Sequence, residues 1–251
     1  MSSLLAPNAS KTVVRGRVLT QLEAAALLHG LQADSADFYY SAWVSFLDAL
    51  NGLSKGFYTW ATVKLYYSVF YALNSSLAKN GVCAFYVGSH SYIVDALTGA
   101  SPVSCTEKGT HKTVLKAFQS RNAAHPLVSQ RIDLEEALDW LIYQRETANY
   151  RETRFGEPEC SDAFDYVAAN GVRKALNTYI ADSTFMYVFD PDHAMLAYPL
   201  SALQLVGNAV APTAALLLST EEKQFLKARV RDSTGSIPSI LAEMKRLALV
   251  A

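Results

Sequence analysis

Between Phe57 and the lysine that closes the run at position 79 there is a single charged residue, Lys64, and apolar or aromatic side chains point outward in nearly every direction. A helix that is apolar all round cannot lie on a surface and has to be enclosed by other helices. Phe57 to Lys79 is therefore expected to be the central pillar of a mainly α fold. Asn80-Gly81 should end it, because glycine tolerates the left-handed conformation of a helix C-terminus. At 251 residues, 51% of them apolar, the chain is long enough to build the enclosing helices.

The flanking elements follow from pattern. A first helix is expected over about residues 20–31, and a second from an N-cap at Asp34 or Ser35 through Phe38, Trp43, Phe46 and Leu50. Val82–Val87 reads as a short extended piece. Residues 110–121 read as a helix with Val114, Leu115 and Phe118 inward, and 122–130 as a loop, since Pro126 disfavours helix at His125. A helix is expected from Ile132-Asp133 with the stripe Leu134, Ala137, Leu138, Leu141 and Ala148, and another over about 161–182. Farther on, Phe185–Phe189 and Ala194–Tyr198 flank Asp190-Pro191-Asp192 as two strands around a turn, followed by helices from Ser219 and Pro238. The expected division is an N-terminal helical segment (1–34), a helical bundle (35–183) and a C-terminal extension (184–251) that carries the hairpin, two helices and an interaction surface.

Composition narrows the function classes. With 22 basic and 23 acidic residues there is no global field to attract nucleic acid, so any such binding must be local. The three cysteines form no C-x-x-C pair and suit buried or idle thiols in a reducing cytoplasm. Gly-rich phosphate loops, H-E-x-x-H, G-x-S-x-G and EF-hand patterns are missing and the five histidines are scattered, so neither a metal nor a cofactor is expected. The first eight residues lack the basic start and apolar run of a secretory signal, which again suits the cytoplasm. Ala194–Thr220 carries no charge and is long enough to span a bilayer, but Pro199, Gln204, Asn208 and Pro212 interrupt it. It is expected to be buried or interfacial protein, with no membrane contact. The 18% charged fraction lies below the usual quarter, which suits a surface partly covered by a second subunit.

Charge placement is more telling. Lys108, Lys112 and Lys116 are spaced by four, so on a helix they form one stripe that either tracks phosphates or is an ordinary solvated face. The next segment, 132–165, has ten acids against three bases, and the two regions are suited to offset one another. Arg145 falls in the middle of the apolar stripe of its helix. A guanidinium cannot shed its charge, so it requires carboxylate, phosphate or carbonyl partners. Arg145 is thus either a structural arginine paired with a buried acid or a cleft arginine that stabilises an anion.

Three segments in order, Leu65-Tyr66-Tyr67-Ser68-Val69-Phe70-Tyr71-Ala72-Leu73, Thr110-His111-Lys112-Thr113-Val114 and Leu141-Ile142-Tyr143-Gln144-Arg145-Glu146-Thr147-Ala148-Asn149-Tyr150, resemble the HEPN superfamily. The closest likeness is to its branch with a Tyr/Phe-rich second helix and an R-x-x-A-(D/N)-Y segment, and it covers roughly residues 35–180. The resemblance implies a helical bundle, often dimeric. Many such proteins are metal-independent endoribonucleases of toxin–antitoxin and phage-defence systems, and others only bind or scaffold. Their motif is an arginine followed by a polar residue, with a histidine after four to six intervening residues. Arg145, Asn149 and Tyr150 occupy the matching segment, with Tyr150 where histidine would stand. An unperturbed tyrosine, pKa about 10, is a poor base, so Arg145 would hold the scissile phosphate while Tyr150 or a nearby histidine handles the 2′-hydroxyl proton. Arg121 and His125 form an alternative pair, one residue short of the motif spacing. Lys108, His111, Lys112 and Lys116 are the expected RNA contacts. RNA, a second copy of the chain and a protein docked through 184–251 are the expected partners. A non-catalytic scaffold subunit is the competing reading, and a small-ligand sensor built on the tyrosine-rich core is a third.

Overall fold

A computed structural model describes residues 11–107, 109–151 and 153–250, and the fold is mainly α. Lys108 and the first ten residues, on which part of the reading above rests, lie outside the described residues. A short helix α1 (Lys11–Arg15) precedes α2 (Gln21–Leu53). A capping box starts α2: the Thr20 hydroxyl accepts from the Glu23 amide at 3.3 Å, and the Glu23 carboxylate accepts from the Thr20 N–H at 2.9 Å.

The break expected near Asp34 is absent, and the boundary drawn at 34/35 falls inside one helix of 33 residues. Ser35 is not a cap. It is buried against α3 (Tyr58–Lys79), where its Oγ donates to the Ser75 carbonyl at 2.9 Å and Ser75 Oγ donates back to the Ser35 carbonyl at 2.6 Å. Two small side chains that bond to each other's backbone let the helices approach closely without leaving a polar atom unmet. The pillar α3 is enclosed as its composition requires, with Leu65, Tyr66, Val69, Ala72 and Leu73 buried, and the chain turns at Gly81 with φ +75°.

Strand β1 (Val82–Val87) is the expected extended piece. It pairs antiparallel with β2 (His90–Asp95), Val82 opposite Asp95, and β3 (Val103–Ser104) adds to the far edge of β2. Helix α4 (Thr110–Arg121) follows as expected. The next expectation fails. Instead of opening a helix at Ile132-Asp133, the chain makes a tight hairpin of β4 (Arg131–Ile132) and β5 (Glu135–Glu136) around Asp133 and Leu134, at φ 48° and 70°. A two-residue turn with both φ positive matches the twist of its strands. Helix α5 (Ala137–Glu146) begins only afterwards, and Leu134, expected on the inward stripe, is 87% exposed. The single helix expected over 161–182 is divided at Gly171 into α6 (Asp165–Asn170) and α7 (Val172–Ile180).

The hairpin expected over 185–198 is also overturned. Asp190-Pro191-Asp192 starts a helix, α8 (Pro191–Leu217): the Asp190 carboxylate accepts from the Asp192 amide at 3.0 Å, and Pro191 sits at a first-turn position where its missing N–H leaves no bond unmade. Residues 194–203 are all buried against α2 and α3. The segment drawn as an extension is therefore the third wall of the core. Among the described residues α8 is the one helix long and apolar enough to cross a membrane, and half of its apolar stretch is buried by the fold. The capping box of Ser219 and Glu222 starts α9 (Thr220–Arg229) as expected; a small hairpin of β6 (Arg231–Asp232) and β7 (Gly235–Ser236) then leads to α10 (Pro238–Arg246). Arg173 of α7 grips Asp232 through two bonds of 2.8 and 3.0 Å.

A tight contact of the core lies between α8 and α2. Tyr39 donates its O–H to the Leu203 carbonyl at 2.8 Å, and a Cβ on Gly207 would fall inside the van der Waals envelope of that hydroxyl and 3.1 Å from Leu247 Cδ2. Gly207→Ala is expected to cost about 1–3 kcal/mol through overpacking. Gly30→Ala, on the exposed side of α2 with open space around it, should stabilise by about 0.5–1 kcal/mol through helix propensity. Urea midpoints of the two variants against the parent check both signs.

Candidate functional site

Helix α5 ends at Glu146, and the next five residues, Thr147–Arg151, form a π turn. Such wide i→i+5 turns are rare and concentrate at functional sites. On a continuous α-helix the side chains of residues 145 and 150 would diverge by about 140°. Here the Tyr150 ring centre is 5.8 Å from Arg145 Cζ. Across the seam, α3 supplies Tyr66, whose ring centre is 5.0 Å from the same Cζ. The Tyr66 hydroxyl in turn lies 3.0 Å from Nδ1 of His111, in the first turn of α4. Phe70 stacks on the His111 ring at 4.3 Å, and Tyr67 meets it edge-on at 5.2 Å. Three elements thus bring Arg145, Tyr66, His111 and Tyr150 to one place.

Arg145 is half-buried and has no carboxylate partner among the described residues; neighbouring Glu146 reaches Arg151 instead, at 3.9 Å. Its Nε is buried without a hydrogen-bond acceptor among the described residues. An unmet buried donor costs about 1–3 kcal/mol, and a tyrosine face returns roughly 0.5–2 kcal/mol of cation–π attraction. The two nearly cancel, so the guanidinium is tolerated there but still lacks an anion. Burial pushes the Tyr66 phenol up to about 12, with the Arg145 charge opposing, so Tyr66 is neutral at neutral pH. Burial first, and the Arg145 charge second, hold His111 below its usual 6.5, so it stands as neutral imidazole. The Tyr66–His111 bond runs in either direction according to tautomer. When His111 Nδ1–H donates to the tyrosine oxygen, Nε2 keeps a lone pair; when the hydroxyl donates, Nε2 carries the proton. The arrangement can hold an anion at Arg145 and exchange a proton at His111.

The remaining expected site residues fall into place around this cluster or away from it. Asn149 is half-buried and Tyr150 is 75% exposed, both on the π turn. Arg121 and His125 are occupied elsewhere. Arg121 clasps Asp95 through bonds of 2.6 and 3.2 Å, while His125 Nδ1 accepts from the Leu127 amide at 3.2 Å and packs edge-on against Phe118. The lysine stripe is partly neutralised, because Lys116 pairs with Asp139 at 2.9 Å and Arg131 with Glu136 at 3.1 Å. The basic and acidic segments therefore offset each other within one chain, and Lys112 remains exposed and unpaired among the described residues. Sequence reasoning named Arg145 and His111 separately but missed Tyr66 as the link between them. The available signal was the Tyr66-Tyr67 pair on the most enclosed helix, where a buried hydroxyl must find a partner.

Comparisons with protein-family models, curated proteins and solved structures find no match to this chain.

A depressed histidine pKa has a signed consequence. The unfolded chain takes up protons at His111 and His125 near pH 6.5, before the folded chain does, so their contribution to stability is full above that pH and is lost as pH falls through the folded values. The urea midpoint should drop between pH 7.5 and 5.5, and by less in His111→Gln. NMR titration should place the His111 midpoint below 6.5 and move it upward in Arg145→Ala.

Proposed function

We propose that the protein is a HEPN-like, RNA-engaging protein whose Arg145 holds a phosphate, and that it acts as a cytoplasmic homodimer and metal-independent endoribonuclease of a phage-defence or toxin–antitoxin system. One observation carries the proposal: a half-buried guanidinium that meets no carboxylate and no acceptor for its Nε among the described residues stands beside a tyrosine bonded to a neutral imidazole. A phosphodiester supplies the oxygens that Arg145 lacks, and the planar guanidinium fork suits two of them at once.

The chemistry follows from RNA itself. His111 Nε2, with Nδ1–H donating to Tyr66, takes the 2′-hydroxyl proton. The 2′-oxygen attacks the adjacent phosphorus, the P–O2′ bond forms as the P–O5′ bond breaks, and the products are a 2′,3′-cyclic phosphate and a 5′-hydroxyl end protonated from water. Arg145 stabilises the charge that gathers on the non-bridging oxygens. Proton transfer thus passes from the motif position, where Tyr150 stands, to His111 on a different helix. Tyr150 and Asn149 flank the phosphate on the wide turn.

A second reading, a non-catalytic scaffold, is favoured by the tyrosine at the motif's histidine position and by the exposure of its ring. In that reading a partner protein meets the apolar residues that 184–251 leaves uncovered, Met186 at 60%, Leu216 at 87% and Leu217 at 54% exposure.

Incubation with single-stranded RNA in excess EDTA separates the readings. Under the nuclease reading, cleavage persists in EDTA and falls by about 100-fold or more in Arg145→Ala and in His111→Ala, while the urea midpoint of Arg145→Ala stays near the parent value. RNA bound but left intact selects the scaffold. If RNA is neither bound nor cut and Arg145→Ala loses about 3–5 kcal/mol of stability, Arg145 is a structural residue.

A further inference from the structure

The residues on either side of Arg145 face a different space. Gln144 and Thr147 line a cavity of about 220 Å³ whose other walls include Tyr58, Arg154, Phe155 and Cys160. One water needs about 10–15 Å³ on the same measure, so the cavity admits a planar ring system rather than a single solvent molecule.

Its chemistry is specific. Two aromatic rings, Tyr58 and Phe155, line it. Two of its three threonines are already committed: the Thr59 N–H and hydroxyl both donate to the Glu157 carboxylate at 2.7 Å, and the Thr62 hydroxyl donates to the Tyr58 carbonyl at 3.0 Å. Among the described residues the polar groups left over include the Gln144 carboxamide, the buried Thr147 Oγ1, the Ser161 hydroxyl and the Arg154 guanidinium. Glu159 also lines the space, so a bare anion would meet a carboxylate there. A carboxamide presents an acceptor and two donors in one plane, which is the form of complement that a nucleobase edge requires, while the rings offer stacking faces. At the rim Phe155 is 54% exposed and meets Trp60, 49% exposed, edge-on at 5.8 Å, so a second stacking surface adjoins the first.

We propose that this cavity is a nucleobase pocket, receiving a base of the single-stranded RNA whose phosphate Arg145 holds. Gln144 and Arg145 are consecutive on one helix, so base and phosphate are read from adjacent side chains within the span of one nucleotide. The inference rests on the RNA reading proposed above.

The test uses the full chain and a short single-stranded RNA, 2′-O-methylated so that it cannot be cut, with an abasic residue moved along it one position at a time. Anisotropy titrations at fixed salt should show one position where the abasic residue weakens binding about tenfold or more. Phe155→Ala should weaken binding of the intact oligomer and erase that position dependence. Gln144→Ala, a second and milder change, should reduce it. Arg145→Ala should weaken every oligomer alike. The RNA should also slow alkylation of Cys160 by N-ethylmaleimide, located by peptide mass. RNA that binds with every abasic position equivalent and Cys160 unprotected overturns the pocket and leaves the RNA reading standing. RNA that does not bind overturns both.

Discussion

The mutual coverage of α2, α3 and α8 is the constraint on which the rest of the structure depends. None of the three can face water on all sides, and each buries its most apolar face against the other two. Large side chains such as Trp43, Tyr39, Tyr66 and Tyr198 are almost fully withdrawn from solvent. Each withdrawal contributes about 1.5–3 kcal/mol, set against the conformational entropy of ordering the chain. Small residues permit the close spacing: the Ser35–Ser75 exchange between α2 and α3, and Gly207 beneath Tyr39 between α8 and α2. Two buried phenols find backbone carbonyls, Tyr39 on Leu203 at 2.8 Å and Tyr198 on Leu127 at 2.5 Å. The latter bond joins α8 to the loop ahead of the β4–β5 hairpin and so helps to place α5.

With α3 held on one side by α2 and α8, its other side is left to α4 and α5. That is where Tyr66 meets His111 and Arg145. The fold contains a near duplicate of the tyrosine–histidine bond, which shows what the arginine adds. Tyr179 reaches His193 Nδ1 at 3.0 Å, and Tyr166 and Tyr187 wall the ring at 4.6 and 4.8 Å. No guanidinium lies over those rings among the described residues, and the bond there simply fastens α7 to the first turn of α8. At Tyr66 the same bond adjoins Arg145, near the end of α5 just before the π turn, a cation with no carboxylate partner among the described residues. The difference between a fastening and a candidate site is one charge without a counter-ion.

Much of this was legible in advance where the signal was local. The enclosed run Phe57–Lys79, the extended Val82–Val87, the helix Thr110–Arg121 and the Ser219 capping box each announce themselves within a few residues. The 3.6-residue periodicity pointed Arg145 inward, where it is half-buried, although two members of the stripe it used, Leu134 and Ala148, lie outside α5. Errors arose where one local pattern serves two structures. Asp190-Pro191-Asp192 is as good a helix start as a turn, and only the demand of α2 and α3 for a third apolar wall selects the helix. Asp133-Leu134 lacks the glycine or asparagine that usually marks a tight hairpin turn, so its two positive φ angles were invisible. Ser35 has a capping residue's chemistry, but its partner lies forty positions away.

By itself the sequence determined that the fold would be mainly α, that the Tyr-rich helix would be buried, and that a cation at position 145 would need carboxylate, phosphate or carbonyl partners. These follow from composition and period, which act over one or two helical turns. Tertiary structure alone decided that no carboxylate of the described residues meets Arg145, that Tyr66 links Arg145 to a histidine thirty-four residues earlier, and that a π turn swings Tyr150 toward the guanidinium. Those outcomes depend on which helices pack together and where the helical register shifts, and packing is settled by the whole set of apolar faces seeking cover at once.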